Sequence, residues 1–260
     1  TGRGHELISR GIGAHQSDSL HRRYGERVAA GVSTVEMYNS LANPLFLFMI
    51  ICMFGTAITE LFTGQWIDVL LKSVTDNALL ILTISTGVMV IGRGLAEPVV
   101  HRLSAQGVLI ASAVFSALGL YLLGHSTGTM IFVGALVFGI GVCYFWPTML
   151  GFVSENLPKT GAVGINLMGG AGMFAVSIYM MFMGNFYDNK LLSKLPAGAT
   201  LAEYNADGAT PEMKSALAAA RTAAGPEIIN ATLLIPVVLI VAFIGLYIYM
   251  RNRPKMTIAA

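Results

Sequence analysis

The chain has 260 residues, of which 55% are hydrophobic and only 12% charged. Soluble domains carry about twice that share of charge, so a water-bathed globular fold is disfavoured and a lipid-facing bundle is favoured. The net charge of +2 comes from basic residues spread through the loops, which offers no face for nucleic acid.

Residues 1–43 are polar and mix Arg3, Arg10, Arg22, Arg23 and Arg27 with Glu6, Asp18, Glu26 and Glu36. That pattern reads as a cytoplasmic connector, flexible or partly helical. His15 and His21 lack the Cys or carboxylate spacing of a metal site, so no metal is expected. The first residue is Thr rather than Met and no signal peptide pattern follows, so preceding sequence is expected. Cys52 and Cys143 both fall inside apolar runs, which argues against a disulfide framework.

After Pro44, six apolar segments follow at 45–67, 78–97, 105–124, 129–153, 161–186 and 228–250. Each is near the roughly 20 residues that a helix needs to cross a bilayer. Backbone groups in lipid must bond within their own segment, so the expected fold class is all-α. It is a polytopic membrane protein, with a six-helix bundle over 44–254 and a cytoplasmic tail at 255–260. Short loops at 98–104, 125–128 and 154–160 make neighbours antiparallel, and the long connection 187–227 lies on the outer side. Within it, Thr210, Pro211 and Glu212 form a helix start, and Gly225 with Pro226 a stop. A short Ala-rich helix at 211–224 outside the bilayer is therefore predicted.

The excess of Lys and Arg in the 1–43 segment, the short loops and the tail places both ends on the cytoplasmic side. The stretch 88–102, with Arg93, Glu97 and Arg102, reads as the cytoplasmic end of the second span, turning at Pro98. Glu155 ends the fourth span on the same side. Arg93, Arg102 and Glu155 are thus expected to form a cytoplasmic charge cluster that a rocking bundle would break and remake.

Cys52, Thr56, Thr59, Glu60, Thr63 and Trp66 recur at three- and four-residue spacing on the first span. An acid inside a membrane segment is a functional candidate by default. Glu60 is therefore expected to face a wet cavity, contacting solute or carrying a proton, or else to pair with another helix. On the fourth span Gly134, Phe138, Gly141, Tyr144, Phe145 and Thr148 share a side, with Pro147 loosening the helix and freeing carbonyls. The glycines suit close packing, whereas Tyr144 and Trp146 are cavity candidates. The fifth span carries Asn166, Gly169, Gly170, Met173, Ser177, Met180 and Gly184 along one stripe, with Asn166 the polar candidate. The third and sixth spans look peripheral. Asn230 begins a glycosylation triplet, discounted at a membrane edge.

Gly92, Arg93, Gly94 and Leu95 with Arg102, then the run Tyr144, Phe145, Trp146, Pro147 and Thr148, resemble the C-terminal half of the major facilitator superfamily. Glu155 and the glycine-rich fifth span complete the resemblance, whose nearest branch is that of the fucose/hexose proton symporters. The loop signature departs from the family pattern at Glu97 and Pro98. The resemblance covers about 44–250. It implies that the spans are helices 7 to 12, with 7, 8, 10 and 11 around a cavity and 9 and 12 bracing them. It further implies alternating access, driven by an ion gradient, with a missing N-terminal six-helix half of the same protein as partner.

The expected function is secondary transport of a small polar, sugar-like solute, coupled to protons, in a bacterial inner membrane. The expected cavity residues are Thr56, Thr59, Glu60, Thr63, Tyr144, Trp146 and Asn166, with Glu60 as the proton carrier. No cofactor is called for. Efflux of amphipathic compounds by proton antiport is the second transport reading, and fourteen methionines keep it open. A receptor, a scaffold or a membrane-embedded enzyme is the alternative of another class. The chain has no His-Glu-x-x-His, no Gly-x-Ser-x-Gly and no phosphate-binding loop with Lys, so an enzyme is not expected.

Overall fold

The structure, a computed structural model, describes residues 32–66, 78–95, 99 and 102–252. His15, His21, Asp68, Glu97, Pro98, most of the connector and the 255–260 tail lie outside these. The described residues are helical, with no strand among them.

Helix α1 (Thr34–Leu41) starts at Ser33, whose hydroxyl accepts from the Glu36 amide. It is the described end of the connector. Glu36 meets Lys159 at 3.0 Å, which pins α1 to the short 3₁₀ turn Pro158–Thr160. Asn43 then caps α2 (Pro44–Ala57), with Pro44 at the first helical position, where a missing N–H is harmless. The helix does not end at Ala57. It widens into a π turn over Ile58–Phe62 and continues to Trp66.

Helices α3 (Ala78–Gly94), α4 (Ala105–His125) and α5 (Met130–Val142) form one packed group. A two-residue break at Cys143 and Tyr144 separates α5 from α6 (Phe145–Asn156). Helix α7 (Gly161–Ser193) and the very long α9 (Pro211–Arg251) are joined by 194–210, which holds the single-turn α8 (Leu201–Asn205).

Among the described residues, five helical units are long and apolar enough to cross a membrane: Pro44–Trp66, Ala105–His125, Met130–Asn156, Pro158–Ser193 and Pro211–Arg251. The second expected span appears as a shorter apolar helix, Leu79–Gly94. Large apolar side chains point outward all round, such as Phe174 and Phe182 on α7 and Leu234 and Val241 on α9. Such a surface is compatible with an integral membrane protein and costly in water.

One predicted boundary is wrong. Gly225 and Pro226 do not stop a helix; α9 runs unbroken through both, as it does through Pro236. A stop of that kind needs a left-handed glycine, and positive φ occurs among the described glycines only at Gly128, Gly161 and Gly198. Ala224, Ile228 and Ile229 are buried around the site, so tertiary packing overrides the local breaker. Helices α7 and α9, at about 1.5 Å per residue, are each longer than a bilayer core of about 30 Å. Much of the stretch expected as a long loop is therefore helical, with Tyr187, Leu191, Leu195, Leu217 and Ala220 buried along it. Lys190 and Lys194 clasp Glu227 at 2.8 and 2.9 Å.

Small residues set how closely the helices approach. A Cβ added at Gly119 would strike the backbone of Phe138, and one at Gly141 the backbone amide of Ser116. Gly139 lies against the Ser85 carbonyl, 2.8 Å from where its Cβ would be. The glycines of α5 therefore serve packing: Gly134 and Gly141 against α4, Gly139 against α3. Replacing Gly141 with Leu is expected to destabilise the protein by at least the 1–3 kcal/mol typical of overpacking. Gly245→Ala, with nothing within 4 Å of the new methyl, should leave the midpoint unchanged or slightly higher. Thermal unfolding in detergent micelles measures both.

Candidate functional site

The depth of Arg93 in the bundle follows from register. Ser85 Oγ donates to the Ala135 carbonyl at 3.1 Å, Arg93 Nε to the Cys143 carbonyl at 3.1 Å, and Tyr144 Oη to the Gly92 carbonyl at 2.9 Å. The near-constant offset means that α3 and α5 run side by side in the same direction. Cys143 is midway along the 27-residue unit Met130–Asn156. Arg93 is therefore roughly 20 Å from either end of that unit, at about 1.5 Å per residue.

This corrects the expectation that Arg93 belongs to a cytoplasmic surface cluster. Arg102 and Glu155 are exposed, and neither has an ion pair among the described residues. Arg93 pairs instead with Glu60, Nη2 to Oε1, at 2.6 Å. Of the readings open for Glu60, the described contact is the partner on another helix.

Each half of the pair is positioned by a local irregularity. Pro147 has no N–H to give the Cys143 carbonyl four residues earlier, so that oxygen is free to accept from Arg93. The predicted loosening of the helix is present as the break at 143–144, and the freed carbonyl has a named donor. Glu60 sits at the centre of the π turn, a helix defect that recurs at functional sites. Its side chain is 5% exposed, whereas that of Arg93 is 44% exposed.

The exposed side of Arg93 opens into a groove of about 580 Å³, lined also by Glu60, Leu61, Trp146, Pro147, Leu150 and Met173. Trp146 is braced from behind by α7, where a Cβ on Gly172 would come within 3.2 Å of its ring. Glu60 Oε2 and Thr63 Oγ1, one turn apart, are buried and lack a hydrogen-bond partner among the described residues. Unpaired buried oxygens are rare and each implies a missing partner or another state.

The other candidates divide. Thr56 and Thr59 are buried, and their hydroxyls donate back to the carbonyls of Met53 and Gly55, so they do not reach the groove. The threonine stripe of α2 faces protein. Tyr144 holds the last turn of α3 through its bond to Gly92. Asn166 is exposed on α7, on the same stripe as Met173 and away from the groove lining. Gly169 and Gly170 have nothing within 4 Å of an added Cβ, so that stripe is an open face rather than a packed one. A second groove, about 440 Å³ and wholly apolar, runs between α2 and α7 past Phe46, Ile50, Phe54, Leu167 and Phe174. No group of three potential metal ligands occurs among the described residues.

In comparisons with known proteins, no family model, no curated protein and no solved structure matches this chain.

The pair has a clear signature in mutagenesis. Arg93→Gln strands a buried carboxylate and is expected to destabilise the protein by about 1–3 kcal/mol, the cost of leaving such a group unpaired. Glu60→Gln with Arg93→Gln leaves two amides and should recover most of that loss. A thermal unfolding cycle in detergent that shows additive losses would contradict the direct pairing.

Proposed function

We propose that this chain is the C-terminal half of a secondary transporter built like the major facilitator superfamily, moving a small polar solute by alternating access. The observation that carries the reading is the Glu60–Arg93 pair, halfway through the helical bundle and facing an open groove. A buried ion pair is weak evidence for stability, and apolar replacements of such pairs are often neutral or better. Charges at mid-depth among apolar helices mark solute and ion paths.

The irregular backbone points the same way. Transporter sites are built where helices are interrupted and their backbone groups face a cavity near the midplane. Here a π turn, a broken helix and the end of α3 converge on one place. The open groove supports a second half that completes the wall, and the pair supports proton coupling through Glu60. The apolar remainder of the groove, with Trp146 and Met173, favours an amphipathic solute as the second reading.

The test is uptake by proteoliposomes containing the full-length protein under an imposed pH gradient. The probes are an uncharged polyol, a monocarboxylate and an amphipathic dye. Gradient-driven accumulation or extrusion of one of them is expected, with a loss of at least tenfold in Arg93→Gln. If none moves in either direction, while the protein is folded and inserted, the transport reading fails.

A further inference from the structure

We infer that Glu60 occupies, within its own chain, the place of an anionic group on the solute, and that a carboxylate-bearing solute displaces it from Arg93 at the cost of one proton taken up by Glu60. The inference rests on the transport reading above and narrows its solute class. It departs from the uncharged sugar-like solute that the sequence resemblance implies.

Arg93 does not depend on Glu60 for its position. Its Nε is bonded to the Cys143 carbonyl, an acceptor that exists because Pro147 cannot use it. With Glu60 removed, the guanidinium stays aimed at the groove. Glu60 takes a single bond from one terminal nitrogen, and the side chain is 44% exposed, so a solute carboxylate can reach the planar fork from the groove and replace that one bond with two. Among the described residues that line the groove, Arg93 is the only cation.

Glu60, by contrast, is held on one oxygen alone. Its Oε2 is buried and, like the Thr63 hydroxyl one turn on, has no hydrogen-bond partner among the described residues. The π turn that carries it has one residue more than an α turn, so a return to α register would rotate Glu60 away from Arg93 without unwinding α2.

Charge then fixes the coupling. The intact pair is neutral, and a carboxylate arriving at Arg93 places a second negative charge beside the first. Once displaced from Arg93, Glu60 is a buried carboxylate without its cation, and burial favours the neutral form, so Glu60 takes a proton. The step balances as the ion pair Glu60–Arg93 plus a solute carboxylate plus one proton from bulk water, giving neutral Glu60 and a solute–Arg93 pair. No covalent bond to carbon changes.

Few other groups bear on this titration. From α3 only Arg93 faces Glu60, and the helix break between α5 and α6 brings Cys143 and Tyr144. Helix α7 presents Met173 to the groove and Tyr179 against Phe62 a half-turn on; α9 brings Ile235 and Leu239 against Gly55 and Thr232 against Tyr179. None of these carries a compensating charge among the described residues.

The experiment compares gluconate and benzoate with sorbitol, the uncharged counterpart of gluconate, using full-length protein in lightly buffered detergent with a pH-indicator dye. Gluconate or benzoate should bind with uptake of about one proton per site, and sorbitol with none. Apparent affinity for the carboxylate should rise about tenfold for each unit that pH falls, the slope of one proton per anion. Glu60→Gln should bind the carboxylate more tightly, release or take up no proton, and lose the pH slope. Glu60→Gln with Arg93→Gln, neutral and foldable, should not bind it. Proton uptake that persists in Glu60→Gln overturns the inference, as does carboxylate binding by the double variant. Gradient-driven sorbitol transport with no carboxylate binding also overturns it, while leaving the transport reading intact.

Discussion

A guanidinium halfway along an apolar helical bundle must be given acceptors, and this one requirement explains most of the irregular geometry in the structure. Placing an unpaired Arg at the centre of a membrane helix costs about 2.5–3.5 kcal/mol even on the mildest scales. The chain meets that cost with a carboxylate from α2 and a carbonyl from the α5–α6 break. An α5–α6 unit without Pro147 would use the Cys143 carbonyl internally, and the π turn sets the side on which Glu60 emerges. The end of α3 meets the same place, where the Leu95 amide already donates to the Gly92 carbonyl. Tyr144, at the break itself, donates to that same carbonyl. The π turn, the helix break and the end of α3 are thus joined by side-chain bonds.

Close packing makes this arrangement reachable. Arg93 touches Cys143 because α3 and α5 approach with almost no side chain between them, at Gly139 against Ser85 and at Gly92 against the Cys143 sulfur. The seam continues to α4 through Gly119, Ser116 and Gly141. Between apolar helices in lipid there is no hydrophobic gain from association, so contact depends on such small residues and on occasional polar bonds. The bond from Ser85 to the Ala135 carbonyl is one of these. The glycines thus do their work one layer behind the groove, fixing the distance across which Arg93 reaches.

What could be read from the sequence and what could not separate along physical lines. The places of five long apolar helices were legible because a span of lipid length leaves an unmistakable apolar run, and Thr210 marks a start with a side chain that caps. The role of Pro147 was legible because a missing N–H is a local fact. The partner of Arg93 was not. Loop position suggested Glu155, but depth in a bundle is set by the register of neighbouring helices, which no single segment encodes. The stripe on α2 was legible as one face and misassigned as a wet one; buried threonines that bond back to their own helix have the same spacing as threonines lining a cavity. Gly225 and Pro226 misled for a different reason. A breaker acts on an isolated helix, whereas α9 has α7 alongside it and a carboxylate held by two lysines at the very next residue.

That clasp bears on how the site connects to the rest of the molecule. The π turn that carries Glu60 also carries Phe62, which stacks on Trp66 at 5.5 Å and meets Tyr179 of α7 edge-on at 4.8 Å. Trp66 in turn meets Tyr187, further along α7, at 5.7 Å. Tyr187 lies one turn before Lys190, which, with Lys194, grips Glu227 of α9. A continuous line of contacts therefore runs from the π turn of the buried carboxylate to the C-terminal part of α7 and the N-terminal half of α9. Aromatic pairs of this kind contribute about 0.5–1.5 kcal/mol each beyond their burial, and they fix ring orientation. A rotation of the π turn that moved Glu60 would also rotate Phe62, which is buried against Tyr179 of α7. The local register of five residues in α2 is thus linked by aromatic contacts to the packing of two long helices.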